Sequence, residues 1–217
     1  KVKVKYFYSS ILIIFLVLYY CKSIFMFVKY MIYLKEITLL RDNIQNWNEY
    51  PFSIPTIKNL KNIELKSNVT FFVGENGSGK STLLEAIGIN SGFNVGGGSK
   101  DHSYLRKKTE SNLSNSIRLS WSLKSKHGFF LRAESFFNFA SYIDNIAKDD
   151  PSILRSYGGK SLHHQSHGES FLSLFKRFSE GIFILDEPEA ALSPARQLSF
   201  MSLINNLEPK AQFIIAT

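Results

Sequence analysis

One cysteine, Cys21, in 217 residues leaves no partner for an intramolecular disulfide and no cysteine-rich metal site. A reducing, cytoplasmic setting is the matching expectation. Acidic residues are missing from residues 1–30, where Lys1, Lys3, Lys5, Lys22 and Lys29 stand unopposed. Those five lysines supply most of the net charge of +8, so residues 31–217 carry only +3. An excess that small gives no support to a polyanionic partner such as DNA. Glutamine is absent between Gln45 and Gln165. What remains is ordinary for a packed domain: 44% hydrophobic and 20% charged residues, at a length that suits one domain with an added segment.

Residues 1–30 stand apart in composition. No charge occurs from Tyr6 to Cys21, and Ile11 to Leu18 is an unbroken apolar run. A secretory signal would need small residues at a cleavage site, and Tyr19, Tyr20 and Cys21 do not supply them. Two readings stay open. As a membrane anchor, the stretch just reaches the roughly 20 apolar residues a spanning helix needs, provided that Lys22 snorkels. Alternatively it lies outside the natural product, since Met31 opens a segment that reads at once as a core strand. The chain is therefore divided into 1–30, an apolar basic extension, and 31–217, a packed domain. Membrane association is expected only if residues 1–30 are genuine.

Met31 to Leu40 is rich in β-formers and reads as a strand, followed by turns around Pro51 and Pro55. Asn68 to Val73 reads as a buried strand and Lys80 to Ile89 as a helix. Asn90 to Ser116, with Gly96, Gly97 and Gly98, reads as a flexible insertion. Ile117 to Leu123 and Phe129 to Ala133 are expected to pair as strands through a turn at His127 and Gly128. Helices are expected over Phe136 to Ala147, Glu169 to Phe178 and Pro194 to Leu207, with Pro194 suited to a first turn. Gly158 to His167 reads as loop. Ile182 to Leu185 and Gln212 to Thr217 complete the set as strands. This alternation implies an α/β fold: a mainly parallel sheet flanked by helices, with an antiparallel β portion.

Two motifs carry chemistry on their own residues. Gly74, Glu75, Asn76, Gly77, Ser78, Gly79, Lys80, Ser81 and Thr82 fit G-x-x-x-x-G-K-[ST] between a strand and a helix, the context a phosphate-binding loop requires. Its glycines let successive N–H groups turn inward on phosphate oxygens, and the helix start adds the positive end of its dipole. Lys80 would reach the β- and γ-phosphates of a nucleoside triphosphate, and the Ser81 hydroxyl would ligate Mg2+. The second motif is the apolar strand from Ile182 that ends in Asp186 and Glu187. Asp186 would hold Mg2+ through water, and Glu187 would activate or orient the attacking water. His163, His164 and His167 invite a metal reading, but no cysteine or carboxylate cluster accompanies them.

A third stretch, Ser166, His167, Gly168, Glu169 and Ser170, precedes the acidic strand and opens a helix. The order of phosphate loop, Ser-x-Gly-Glu helix start and Leu-Asp-Glu-Pro resembles that of ABC-type P-loop ATPases, from about Tyr33 to Thr217. The resemblance implies ATP and Mg2+ bound between two copies arranged head to tail, a homodimer formed on nucleotide binding. It also implies hydrolysis by in-line attack of water. Ser166, His167, Gly168 and Glu169 would then meet the γ-phosphate held by the other copy, with His167 in place of the usual glycine. Leu83 to Ile87 and Asp186 to Pro194 look more like AAA family ATPases of the stand-alone, SMC/RecF-like kind than like transporter subunits. Ala190 to Ser193 would cross the dimer interface. A transporter's ATP-binding subunit, or a DNA-repair or anti-phage ATPase, are the alternatives.

Three parts of that family pattern depart from expectation. The Mg2+-sensing glutamine has no counterpart, and Glu134 or Ser135 would stand in its place. Trp47, Tyr50 and Phe52 are candidates for stacking on adenine, though each is equally suited to ordinary packing. The histidine that the family carries after its last apolar strand would follow Thr217, so the domain is expected to be truncated there.

Overall fold

The computed structural model describes residues 32–94, 112–125, 127–165, 167–177, 180–207 and 209–217. The extension 1–30, the Gly96–Gly98 part of the insertion and Ser166 lie outside the described residues. Two sheets organise what is described. The first, ordered β2-β1-β4, is antiparallel and comprises β1 (Leu34–Leu39), β2 (Asn62–Glu64) and β4 (Ile117–Trp121). The second is parallel and ordered β3-β7-β6-β5, from β3 (Val69–Phe72), β5 (Gly128–Arg132), β6 (Gly181–Asp186) and β7 (Ala211–Ala216).

Burial explains which strand joins which sheet. Every residue of β6 and β7 is buried, as is the run Gly128 to Leu131 of β5. Continuous apolar strands of this kind are covered on both faces, as interior strands of parallel sheets must be. Period-2 alternation then divides β6 between two cores. Phe183 and Leu185 face a cluster with Phe171, Phe175, Phe200 and Phe213, while Ile182 and Ile184 face one with Leu84, Ile87 and Ile37. The first core lies under α3 (Phe136–Asp149), α4 (His167–Ser173) and α5 (Pro194–Leu207). The second lies between the parallel sheet, α2 (Lys80–Ser91) and the antiparallel sheet. A single helical turn, α1 (Pro55–Lys58), also inserts Ile57 there.

The expected pairing of Ile117–Leu123 with Phe129–Ala133 does not occur. β4 pairs antiparallel with β1, and β5 pairs parallel with β6. The physical reason is coverage. β4 is only partly buried and suits an outer antiparallel sheet, whereas the four consecutive buried residues of β5 need cover on both faces. Gly128 is not a hairpin turn residue but the start of β5, at φ +137°. A Cβ there would stand 2.0 Å from the carbonyl oxygen of Ile182, so only glycine allows this approach to β6. Two further boundaries differ. The α-helix expected over Glu169 to Phe178 gives way to 3-10 geometry at Leu174–Arg177, and β3 is an edge strand on which Phe71 is exposed.

A side chain joins the two sheets. Gln212, on β7, is fully buried. Its Oε1 accepts from the backbone N–H of Tyr33 at 3.0 Å and of Leu34 at 2.8 Å, and its Nε2 donates to the Leu34 carbonyl at 2.9 Å. A buried amide is tolerated only when satisfied in this way. Replacing Gln212 by Leu strands three buried backbone groups at about 1–3 kcal/mol each before relaxation. We expect Q212L to lose roughly 2–4 kcal/mol in urea unfolding, and a loss under 0.5 kcal/mol would contradict the assigned join.

Candidate functional site

The loop between β3 and α2 is folded by its glycines. Gly77 and Gly79 sit at φ +77° and +93°, where a side chain would be strained, and Gly79 is the residue that caps α2. The Ser78 N–H donates to the Glu75 carbonyl at 3.2 Å, and Thr56 Oγ1 donates to the Ser78 carbonyl, which anchors the loop on α1. Lys80 Nζ donates to the carbonyls of Gly74 at 2.7 Å and Glu75 at 3.2 Å. Its ammonium is thus held across the loop mouth, next to the N-terminus of α2.

Ser81, the second residue of α2, reaches the end of β6. Its Oγ donates to Asp186 Oδ1 at 3.0 Å. Asp186 is only 2% exposed, and a buried carboxylate must be paired or hydrogen-bonded. Its other oxygen, Oδ2, accepts from Arg132 Nε at 2.9 Å. Arg132 and Asp186 are register partners on β5 and β6, so their side chains leave the sheet side by side. Arg132 Nη2 continues to Glu85 Oε2 at 3.1 Å. Glu85 lies one helical turn beyond Ser81, on the same face of α2. Ser81, Asp186, Arg132 and Glu85 therefore close a ring between one helix and two strands. Burial disfavours the Arg132 cation, but the hydrogen bond to Glu85 and the field and hydrogen bond of Asp186 outweigh that cost and raise its pKa above the ordinary value.

Glu187 follows Asp186 at φ +50°, ψ +47°, the one non-glycine residue with positive φ among those described. A non-glycine residue held there costs on the order of 1–3 kcal/mol and is over-represented at functional sites. Its N–H donates to the Ala216 carbonyl at 2.9 Å, and its carbonyl accepts from the Ala190 N–H at 3.0 Å, which fixes the turn. The turn breaks strand alternation, so Asp186 and Glu187 line the same cavity instead of facing opposite sides of the sheet. That cavity, about 500 Å³, is also lined by Tyr50, Ser81, Thr82, Glu85, Arg132, Glu134 and Ala190. Among the described residues, no three His, Cys, Asp or Glu side chains are arranged to hold a metal ion by themselves.

The structure sorts the sequence-derived candidates. Lys80, Ser81, Thr82, Asp186 and Glu187 converge on one end of the parallel sheet. Of the three aromatic candidates, Phe52 is buried and Trp47 packs on the same core beneath Arg41, 4.2 Å from its ring centroid. Tyr50 is 65% exposed and hydrogen-bonds Thr82 Oγ1 through its hydroxyl at 2.8 Å, so it alone of the three borders the cavity. Glu134 lines the cavity and lies 3.7 Å from Arg132. Glu169, on α4, is exposed and lines no part of the cavity. His163 is bound to Ser141 Oγ at 2.9 Å and packs on Phe137. Arg132 and Glu85 are the members that sequence reasoning missed. An arginine ending an apolar strand two residues before an acid, Arg132 before Glu134, is the only local signal for the first, and none marks Glu85.

The family model described as AAA domain matches residues 43–189, from the segment before Tyr50 through the acidic pair. The chain belongs to this family, which makes it an AAA-type P-loop ATPase domain with the α/β fold described above. No match is found among curated proteins. Among the described residues, no helix is long and apolar enough to cross a membrane.

Asp186→Asn keeps the shape of the site but removes the charge on which Arg132 depends. We expect a loss of about 1–3 kcal/mol in urea unfolding, because a partly buried guanidinium loses an anionic partner. Stability equal to the parent would mean that the ion pair contributes nothing.

Proposed function

We propose that this domain binds Mg-ATP in the cavity bordered by α2 and the carboxyl ends of β5 and β6, and hydrolyses it. The observation that carries this reading is the 3.0 Å contact of Ser81 with Asp186. It joins a phosphate-loop hydroxyl to the acid at the end of β6, and both are hard oxygen donors of the kind Mg2+ takes. Ser81 and Asp186 would hold that cation, which would supply Lewis-acid stabilisation of the charge that develops as the terminal phosphoryl group is transferred. The N–H groups at the start of α2 and the ammonium of Lys80 hold the phosphates. Glu187, exposed beside Asp186 and set by its left-handed turn, orients a water for in-line attack and takes its proton. Tyr50, anchored through Thr82, provides a face for the base.

The second half of the site is proposed to come from another copy. Helix α4 opens at His167, and the start of a helix presents unpaired N–H groups suited to a terminal phosphate. Ser166, His167, Gly168 and Glu169 would complete the cavity of a head-to-tail homodimer, as the ABC-type and SMC/RecF-like resemblance implies. By the same resemblance Ala190 to Ser193 would cross that interface, and Ala190 and Ala191 line the cavity wall.

Two substitutions test the assignment. Lys80→Ala is expected to weaken binding of a fluorescent ATP analogue by at least about tenfold, since it removes a full charge from the phosphates. Glu187→Gln is expected to bind the analogue as the parent does, to lose about 10²–10⁴-fold in turnover and to accumulate an ATP-bound dimer on size-exclusion chromatography. Turnover of E187Q at the parent rate would remove Glu187 from the mechanism.

A further inference from the structure

The ring around Asp186 contains a cation that a site for Mg2+ does not obviously want. We propose that Arg132 is a positioning residue and built-in countercharge: it masks Asp186 and Glu85 so that a divalent cation binds only together with nucleotide phosphates. The proposal rests on the Mg-ATP reading above and deepens it. Three geometric facts carry it. Arg132 Nε occupies Oδ2 of Asp186 at 2.9 Å, leaving Oδ1, the oxygen that also meets Ser81, as the face turned to a cation. Arg132 Nη2 occupies Glu85 at 3.1 Å, so the second acid of the cluster is engaged as well. The guanidinium side chain is 21% exposed, at the cavity wall and not sealed beneath it, so its charge acts on whatever enters.

The electrostatic consequence is direct. Without Arg132, Asp186 and Glu85 would form an unneutralised acidic pair beside the Ser81 hydroxyl, a set of hard oxygens that attracts divalent cations unaided. With Arg132 in place, the charge of the Asp186–Glu85 pair falls from two negative to one, while Glu134, 3.7 Å from Arg132, and Glu187 keep their own charges on the cavity wall. A cation then depends on the charge that triphosphate oxygens bring. The fork of the guanidinium also matters. Only a planar donor set spans a carboxylate on β6 and another on α2 at once, which fixes the oxygen that Asp186 offers.

The test is Mn2+ binding to the full chain, read by electron paramagnetic resonance of free Mn2+, without nucleotide and then with ADP. Arg132→Gln is expected to tighten nucleotide-free Mn2+ binding by about tenfold, the order of effect that one unit charge exerts on a divalent cation near contact in a water-like dielectric. Arg132→Lys keeps the charge and is expected to stay within about threefold of the parent without nucleotide, while its ADP-dependent affinity falls because the fork is lost. Circular dichroism and thermal melts check folding. Should R132Q fail to fold, the double variant R132Q/E85Q removes the base together with one acid and leaves Asp186 unmasked. The net charge of the ring is unchanged there, so nucleotide-free Mn2+ binding within about threefold of the parent is expected, and a change of about tenfold in either direction counts against the charge account. Parent-like curves for the charge-removing variant, or an equal gain in R132K, overturn the proposal. Failure of the parent to bind nucleotide at all would sink the Mg-ATP reading instead, and the nucleotide-free curves would still judge Arg132.

Discussion

A carboxylate cannot be left alone inside a protein, and much of this domain's functional end follows from how Asp186 escapes that penalty. It lies at the end of β6, a strand buried along its whole length, and is 2% exposed. Its two oxygens are satisfied from two directions, by Ser81 on α2 and by Arg132 on β5. Each bond fixes something else. The first sets the distance between the phosphate loop and the sheet. The second pins the ends of β5 and β6 in register. Glu85 then returns the charge to α2 and stiffens both.

The order of the parallel sheet gives the site its width. β7 lies between β3, which feeds the phosphate loop, and β6, which ends in the acids. Adjacent strands are about 4.8 Å apart, so the two functional strand ends are separated by roughly twice that distance. Neither can be moved independently, because β6 and β7 are buried along their whole length. The left-handed turn at Glu187 is closed onto this arrangement by its bond to the Ala216 carbonyl on β7. The middle strand thereby holds the acid beside it as well as the gap.

Much of this was legible in the residues, and the division is physical. The loop Gly74–Thr82 and the pair Asp186–Glu187 are contiguous motifs whose backbone requirements can be read in place. The Pro194–Leu207 helix is likewise legible to the bounds it has in the structure, because proline at a first turn is a local signal. Strand partnership is not local. β4 and β5 are neighbours in sequence with a glycine between them, and so resemble a hairpin, yet coverage on both faces sends β5 to β6. Arg132 was missed for the same reason: its importance arises only once β5 sits beside β6 and places it opposite Asp186. Tyr50 could be separated from Trp47 and Phe52 only by exposure, which composition does not record.

Gln212 also serves as a mechanical link. Among the described residues, the antiparallel and parallel sheets are distinct and share no ladder of backbone hydrogen bonds. One amide, with three hydrogen bonds, joins Tyr33 and Leu34 to β7, backed by apolar packing around Leu34 and Ile37. The Tyr33 hydroxyl adds a bond to the Lys210 carbonyl, and Asn90 on α2 bonds the Ser114 and Ile117 carbonyls, so the join is shared by several side chains. Tyr50 rides on the segment that follows β1, whereas Ser81, Asp186 and Arg132 belong to the other side of the joint. Yet the Tyr50 hydroxyl meets Thr82 and Thr56 Oγ1 meets the Ser78 carbonyl, so the loop and helix that carry the floor assigned to the phosphates also brace the wall assigned to the base.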